Sequence, residues 1–269
     1  MITRSYCRAF QCVAIDLNTQ RDFCEPGRAF PVENLEQLIP ALRRVIAWVK
    51  RNQTPIVSSL EAHREYELSD SGNPIHCVDG SDGQEKIDFT LLANRKYIPS
   101  DNTLAVPVDL FASYQQVIFW KRADDLLTNP KADRLMSHIP VGEFLLFGVG
   151  METSVKALAL ALMASNKEVT IVTDACGYWS EGTADQAIRQ VAAKGANFVT
   201  VDELLARKLD RKVRYGNTPG NVRFHGFRQE WCSVNATLDH SQSTARLPLS
   251  PANAKISKRN GHAPRHEGI

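Results

Sequence analysis

The sequence has no long hydrophobic run, little net charge and no closely spaced cysteines, and each absence excludes a class of protein. No apolar stretch approaches the roughly 18 residues that a transmembrane helix needs. The formal net charge is only +2, so charge gives no argument for binding nucleic acid or an anionic membrane. The six cysteines lack CxxC spacing, and residues 1–9 lack the apolar core of a signal peptide. We therefore expect a cytoplasmic protein with reduced thiols.

What the sequence does contain suits one globular domain of the α/β class. Of its 269 residues, 43% are hydrophobic and 23% are charged, which is typical of a protein with an apolar core. Short apolar runs alternate with segments of helical periodicity. Strands are predicted at 10–17, 55–60, 116–120, 144–148, 169–174 and 197–201, and helices at 34–51, 152–166, 184–194 and 202–208. This alternation predicts a three-layer α/β/α fold with a mainly parallel central sheet.

The rest of the chain has a different character. Residues 61–109 show little periodicity and many turn formers, and a long irregular stretch inside a domain is usually functional. We predict that the domain covers residues 1–210. Residues 211–232 are predicted to be a docking extension, which carries Phe224, Phe227 and Trp231. Residues 233–269 are polar with a basic end, which predicts a mostly disordered tail.

Several polar residues fall where predicted strands end. Asp16, Glu61 and Lys121 follow apolar runs, and residues 148–154 leave the strand 144–148 to open a helix. In parallel α/β sheets the functional groups collect at the carboxyl ends of the strands. The sequence therefore predicts one site at this edge of the sheet.

The segment Gly148-Val149-Gly150-Met151-Glu152-Thr153-Ser154-Val155 identifies a family. It resembles the nucleophile turn of the isochorismatase-like, or nicotinamidase-like, cysteine hydrolases, whose pattern is Gly-Val-Ala-Thr-Asp-x-Cys-Val. Ser154 stands where these enzymes have the nucleophilic cysteine. The resemblance extends over residues 10–205, and it implies hydrolysis of the C–N bond of a small amide by a homo-oligomer.

The resemblance implies a reactive set of Asp16, Lys121 and Ser154. The family continues Asp-x-Gln-x-Asp-Phe, whereas Asp16 precedes Asn18-Thr19-Gln20-Arg21-Asp22-Phe23, which is two residues longer. Asp22 is therefore an alternative to Asp16 as the base, although a strand end fixes a side chain better than a loop does. For Lys121 the alternative is an ordinary surface ion pair beside Arg122 and Asp124.

The resemblance also implies an oxyanion hole formed by the N–H groups of Gly150 and Ser154, with a cis peptide before Gly150. A serine is a weaker nucleophile than a cysteine unless a matched base removes its proton. A carboxylate with a pKa near ~4 is a poor base for an alcohol. We therefore expect Ser154 to be a slow or silent nucleophile.

A second pair of motifs predicts a metal site. Glu61-Ala62-His63 and Pro74-Ile75-His76-Cys77 resemble the Asp-x-His and Pro-x-His-Cys motifs of nicotinamidases. The resemblance implies that Glu61, His63 and His76 bind zinc, iron or manganese, and two imidazoles with one carboxylate leave positions open for a substrate. Asn73 stands where the family often has a substrate-packing tryptophan. Phe23 is either an aromatic wall of the substrate pocket or a core residue.

Three functions are compatible with these motifs. The first is hydrolysis of a small amide, in which Ser154 or a water attacks and Asp16 manages protons. The second is a catalytically silent relative that binds a ligand or assembles with a partner. The third is hydrolysis of a vinyl ether, as in true isochorismatases, which also lack the cysteine.

Overall fold

A seven-stranded parallel sheet forms the centre of the fold in the computed structural model, which describes residues 10–68, 72–101, 103, 106 and 110–207. The strands are β1 Phe10–Leu17, β2 Ile56–Glu61, β3 Arg95–Ile98, β4 Gln116–Lys121, β5 Val141–Val149, β6 Val169–Gly177 and β7 Asn197–Val199. Their order is β3-β4-β2-β1-β5-β6-β7, and all neighbouring strands run parallel. The predicted fold class is confirmed.

Helices cover both faces of the sheet. They are α1 Arg21–Cys24, α2 Leu35–Asn52, α3 Glu65–Leu68, α4 Leu110–Ser113, α5 Pro130–His138, α6 Lys156–Ala164, α7 Glu181–Ala192 and α8 Val201–Ala206. Because side chains alternate along a strand, β1 contributes Val13 and Ile15 to one apolar core and Ala14 to the other. The first core is covered by α5, α6 and α7, and the second by α1, α2 and α8. None of the helices among these residues is both long and apolar enough to span a membrane.

The stretch 61–109 contains regular structure that the sequence analysis missed. It holds β3 and two 3-10 helices, Asp82–Gln84 and Asp88–Thr90. Strand β3 is a sheet edge with three of its four residues exposed, so it lacks the apolar alternation that predicts a strand. The docking extension and the tail lie outside the described residues, and both stay predictions.

Two glycines shape the turn between β5 and α6. Gly148 has a φ of 119°, and a Cβ atom there would lie 2.1 Å from the carbonyl oxygen of Leu17. Gly150 has a φ of 89° and begins a π-helical turn, Met151–Val155, which leads into α6. Only glycine combines such backbone angles with so close an approach to β1. The turn consequently places Ser154 next to the end of β1.

Replacing Gly148 by alanine tests this packing. We expect Gly148→Ala to lower the free energy of unfolding by about 2–6 kcal/mol, because an unfavourable φ and a steric overlap each cost about 1–3 kcal/mol. Gly182→Ala is the control, since Gly182 lies in α7 with open space around it. Urea unfolding measures both variants. Equal stability of the two would contradict the close approach.

Candidate active site

The ends of four strands bring one set of buried polar side chains together. Glu61 at the end of β2 pairs in register with Lys121 at the end of β4. On the other side, Leu17 of β1 pairs with Gly148 of β5. Asn18 directly follows β1, and Ser154 lies in the turn that follows β5. Asn18 and Ser154 are 0% exposed, Lys121 1% and Glu61 5%. The predicted gathering of Glu61, Lys121 and Ser154 at this edge is observed, and Asn18 joins them.

The hydroxyl of Ser154 accepts hydrogen bonds from two nitrogen donors. Asn18 Nδ2 lies 2.9 Å from Ser154 Oγ, and Lys121 Nζ lies 3.3 Å from it. A hydroxyl oxygen has two lone pairs, and here a donor faces each of them. Neither contacting group is therefore placed to take a proton from Ser154.

The orientation of the Asn18 amide follows from its other partners. Its Nδ2 lies 2.7 Å from Glu61 Oε1, and an ionised carboxylate only accepts hydrogen bonds. Its Oδ1 accepts from Ser59 Oγ at 2.6 Å, while Ser59 Oγ accepts the backbone N–H of Asn18 at 3.1 Å. The network thus orients the NH2 group of the Asn18 side chain, rather than its oxygen, toward Ser154.

Lys121 uses all three of its donors inside this site. Its Nζ donates to Glu61 Oε1 at 2.7 Å, to the carbonyl oxygen of Ala123 at 2.9 Å and to Ser154. Three acceptors suit an ammonium group. Burial raises the pKa of Glu61, but Lys121 together with His63 and His76 brings that pKa well below the ordinary value. Glu61 and Lys121 therefore form a buried ion pair, and the alternative of a surface pair for Lys121 is wrong.

The structure corrects the sequence-based choice of base. Among the described residues, Asp16 accepts from Thr19 Oγ1 at 2.8 Å and Ser58 Oγ at 3.0 Å, and it pairs with Lys86 Nζ at 3.1 Å. Asp22, the alternative, accepts the backbone N–H of Cys77 at 2.7 Å. Asn18 lies against Ser154 instead, because β1 runs to Leu17 before the chain turns.

Asn18 was missed although its spacing was visible. The segment Asn18-Thr19-Gln20-Arg21-Asp22-Phe23 matches Asp-x-Gln-x-Asp-Phe without any insertion if Asn18 takes the first position. The structure explains the pattern: the Gln20 side chain bonds the backbone N–H and carbonyl of Glu61 at 2.8 and 2.9 Å, and Asp22 holds the loop of Cys77. The sequence analysis chose Asp16 because it is an aspartate, as in the family pattern. The spacing to Gln20, Asp22 and Phe23 would have pointed to Asn18.

The Gly150 half of the expected oxyanion hole needs correction, whereas the N–H of Ser154 stays a prediction. The N–H of Gly150 donates to the carbonyl oxygen of Gly177 at 3.0 Å, as a continuation of the pairing between β5 and β6. No cis peptide bond occurs among the described residues. In this turn Gly150 is consequently a sheet-pairing residue, and its N–H does not face the Ser154 hydroxyl as a free donor.

Glu61, His63 and His76 form a candidate metal site. Their ligand atoms all lie within 4.8 Å of one another, with His63 Nε2 at 3.0 Å and His76 Nε2 at 3.7 Å from Glu61 Oε2. His76 Nδ1 lies 2.7 Å from the carbonyl oxygen of Pro74, which leaves Nε2 as the ligand atom and supplies the outer-shell contact that metal-binding histidines usually have. The donor set therefore fits a divalent ion.

The two residues predicted to contact substrate lie in different surroundings. Asn73 is exposed. Phe23 is 0% exposed, with its ring 5.2 Å from that of His76, so it packs as a core residue behind a candidate metal ligand. Phe30 and Trp179 stack at 4.7 Å, and Phe30 lies 5.1 Å from His76. These two half-buried rings lie beside the candidate metal site, and the sequence analysis missed them.

Comparison with known proteins identifies similar domains. The family model of the isochorismatase domain matches residues 11–203. Among curated proteins, no sequence matches this chain.

Solved structures share the fold at low sequence identity. Pyrazinamidase of Pyrococcus horikoshii in complex with zinc is 23% identical, with a TM-score of 0.56 over 71% of this chain and 99% of that one. An isochorismatase family protein from Desulfovibrio vulgaris is 20% identical, with a TM-score of 0.58 over 74% and 100%. N-carbamoylsarcosine amidase from Thermoplasma acidophilum is 17% identical, with a TM-score of 0.56 over 72% and 98%.

Metal binding is tested by removing one candidate ligand, His76. We expect the protein to bind one zinc ion, and His76→Ala to weaken binding by at least about 100-fold, because loss of outer-shell contacts alone costs about 10–100-fold. His138→Ala is the control, since His138 is exposed at the end of α5. Calorimetric titration with zinc measures the affinities. Unchanged binding by His76→Ala would exclude this site.

The role of Asp16 is tested through its partner Lys86, which is 2% exposed. We expect Lys86→Met to lower the free energy of unfolding by about 3–5 kcal/mol, because it leaves an uncompensated buried carboxylate. Adding Asp16→Asn removes that charge and recovers part of the loss. Lys96→Met, on the exposed edge strand β3, is expected to change stability by less than about 0.5 kcal/mol. Urea unfolding distinguishes these outcomes. An unchanged free energy of unfolding in Lys86→Met would contradict the ion pair.

Proposed function

Because the chain belongs to the isochorismatase domain family, we propose that it is a ligand-binding member that has lost efficient amide hydrolysis. The observation that carries this proposal is the amide group of Asn18 on the hydroxyl of Ser154 at 2.9 Å. The buried charges of Glu61 and Lys121 remain, whereas the two groups that would perform the chemistry differ from those of the family pattern.

Amide hydrolysis through Ser154 needs a base that takes the hydroxyl proton as the oxygen attacks. A side-chain amide nitrogen has no available lone pair and titrates at no relevant pH. Lys121 has its three donors engaged with Glu61, Ala123 and Ser154. Ser154 Oγ therefore stays a hydrogen-bond acceptor of Asn18 and Lys121, and neither residue takes up the hydroxyl proton.

The same reasoning weighs against vinyl-ether hydrolysis. That reaction requires an acid to protonate the substrate, and the group at the position of the family aspartate is the neutral Asn18. Slow hydrolysis by Ser154, without a carboxylate base beside its hydroxyl, remains the second candidate. It is favoured by the contact of Lys121 with Ser154 at 3.3 Å, because a cation stabilises an alkoxide as it forms.

The retained groups suit the binding of a small amide or the corresponding acid. Asn18 and Lys121 present N–H donors to a carbonyl or carboxylate that replaces the Ser154 hydroxyl as their partner. Glu61, His63 and His76 would hold a divalent ion, which would offer an open coordination position to a nitrogen or oxygen of the ligand. The relatives named pyrazinamidase and N-carbamoylsarcosine amidase support this ligand class. Homo-oligomerisation and a cytoplasmic location stay predictions.

Restoring the two family residues tests the proposal. We expect ammonia release from a panel of small amides, nicotinamide included, to be undetectable with wild type and to appear in Asn18→Asp/Ser154→Cys. Each single variant should be at least about 100-fold slower than the double variant, because general-base assistance contributes about 10²–10⁴-fold. The triple variant Asn18→Asp/Ser154→Cys/Lys121→Ala is the inactive control.

Calorimetry of zinc-loaded wild type with the same panel and the derived acids measures binding separately. Binding without turnover supports the proposal. Turnover by wild type that is lost in Lys121→Ala would show that Ser154 is a working nucleophile, and the second candidate would replace the first. Absence of both binding and turnover would contradict both.

A further inference from the structure

The candidate metal site is closed from solvent by two neighbouring segments. Glu61, His63 and His76 are 5%, 8% and 7% exposed, too little for an amide-sized molecule to reach them. We call residues 21–30 the cover and residues 74–85 the histidine loop. The histidine loop carries His76, and the cover carries the rings of Phe23 and Phe30 that pack on His76 at 5.2 and 5.1 Å.

The inner side of the cover rests on a fixed aromatic support. Trp179 stacks on Phe30 with an interplanar angle of 12°, and its Nε1 donates to the carbonyl oxygen of Phe30 at 3.1 Å. Glu152 Oε1 accepts the backbone N–H of Trp179 at 2.7 Å. Phe30 can therefore leave His76 only by separating from Trp179.

The outer side of the cover is joined to the histidine loop by ion pairs. The carboxylate of Asp82 contacts the guanidinium groups of both Arg21 and Arg28, with Arg28 Nη1 at 2.6 Å. Arg21 Nη2 also lies 3.3 Å from Glu85. The Asp82 side chain is 53% exposed, so salt screens these pairs and each one is individually weak. We call the two ion pairs of Asp82 with Arg21 and Arg28 the clamp. Because each pair is weak, both can break without unfolding of the domain.

We propose that Asp82 clamps the cover to the histidine loop, and that release of this clamp opens the route by which a ligand or metal reaches Glu61, His63 and His76. The inference builds on the proposed binding function, since it describes access to that same site. The movement itself needs neither ligand nor metal. It separates the cover from the histidine loop while the central sheet stays intact.

The structure provides a reporter of this opening. Cys77 is 0% exposed, its backbone N–H is bound by Asp22 of the cover, and its Sγ lies 3.9 Å from the carbonyl oxygen of Gly83 in the histidine loop. A thiol reagent reaches Cys77 only when the two segments part. Cys12 in β1 and Cys176 in β6, 5% and 2% exposed, are internal references because they lie in strands of the central sheet.

The experiment is thiol labelling of the metal-free protein with iodoacetamide, followed by mass spectrometry of each cysteine. We compare wild type with Asp82→Asn, which removes the charge and keeps the shape. The matched control is Asp202→Asn, which removes the same charge from the ion pair of Arg44 with Asp202. We expect Cys77 in Asp82→Asn to be labelled about 3- to 30-fold faster than in wild type. Cys12 and Cys176 should keep their rates, and Asp202→Asn should match wild type.

Salt provides an independent arm. Raising the ionic strength should speed the labelling of Cys77 in wild type and have less effect in Asp82→Asn, where the screened charge is already absent. The proposal is overturned if Asp82→Asn labels Cys77 no faster than Asp202→Asn does. It is also overturned if Cys12 and Cys176 accelerate equally, since that result reports unfolding of the whole domain. Because no amide or metal is used, these outcomes are independent of whether the proposed ligand binds.

Discussion

The buried carboxylate of Glu61 connects the two halves of the site. Its Oε1 accepts from Asn18 Nδ2 and Lys121 Nζ, both at 2.7 Å, and its Oε2 faces His63 and His76. A buried carboxylate is tolerated only when its oxygens are satisfied, and here a cation and an amide satisfy one oxygen while two imidazoles face the other. The surroundings of Ser154 and the candidate metal site are therefore parts of one electrostatic unit.

The segment after β1 positions this unit from one side. Asn18 contacts Ser154, Gln20 holds the backbone of Glu61, and Asp22 holds the backbone of Cys77. Phe23 then packs on the ring of His76. A short stretch of chain thus reaches both the end of β2 and the histidine loop. The contacts of Gln20, Asp22 and Phe23 involve neither Asn18 nor Ser154, so under the proposed function the site stays assembled although its chemistry has changed.

Closure of the site has a physical consequence for how it works. The strength of the Glu61–Lys121 pair and the metal-binding geometry both depend on exclusion of water, because a low dielectric strengthens interactions between charges. Exclusion of water also excludes a ligand. Around the site the structure has an apolar contact, Phe30 on Trp179, and exposed ion pairs at Asp82, and we propose that the ion pairs are the part that opens.

The sequence by itself determined the fold class, because apolar periodicity reports which side chains face a core. It also named Glu61, His63, His76, Lys121 and Ser154 as candidate site residues, because the motifs that carry the family resemblance are local. It weighed Asp16 against Asp22 and did not single out Asn18. Asp16 and Asn18 both lie near the end of one strand, and only the side-chain contacts of the folded chain show that Asp16 meets Lys86 while Asn18 meets Ser154. Tertiary structure likewise placed Phe30, Trp179 and Asp82 around the site. Their contacts join residues distant in the chain, and no local pattern encodes such distances.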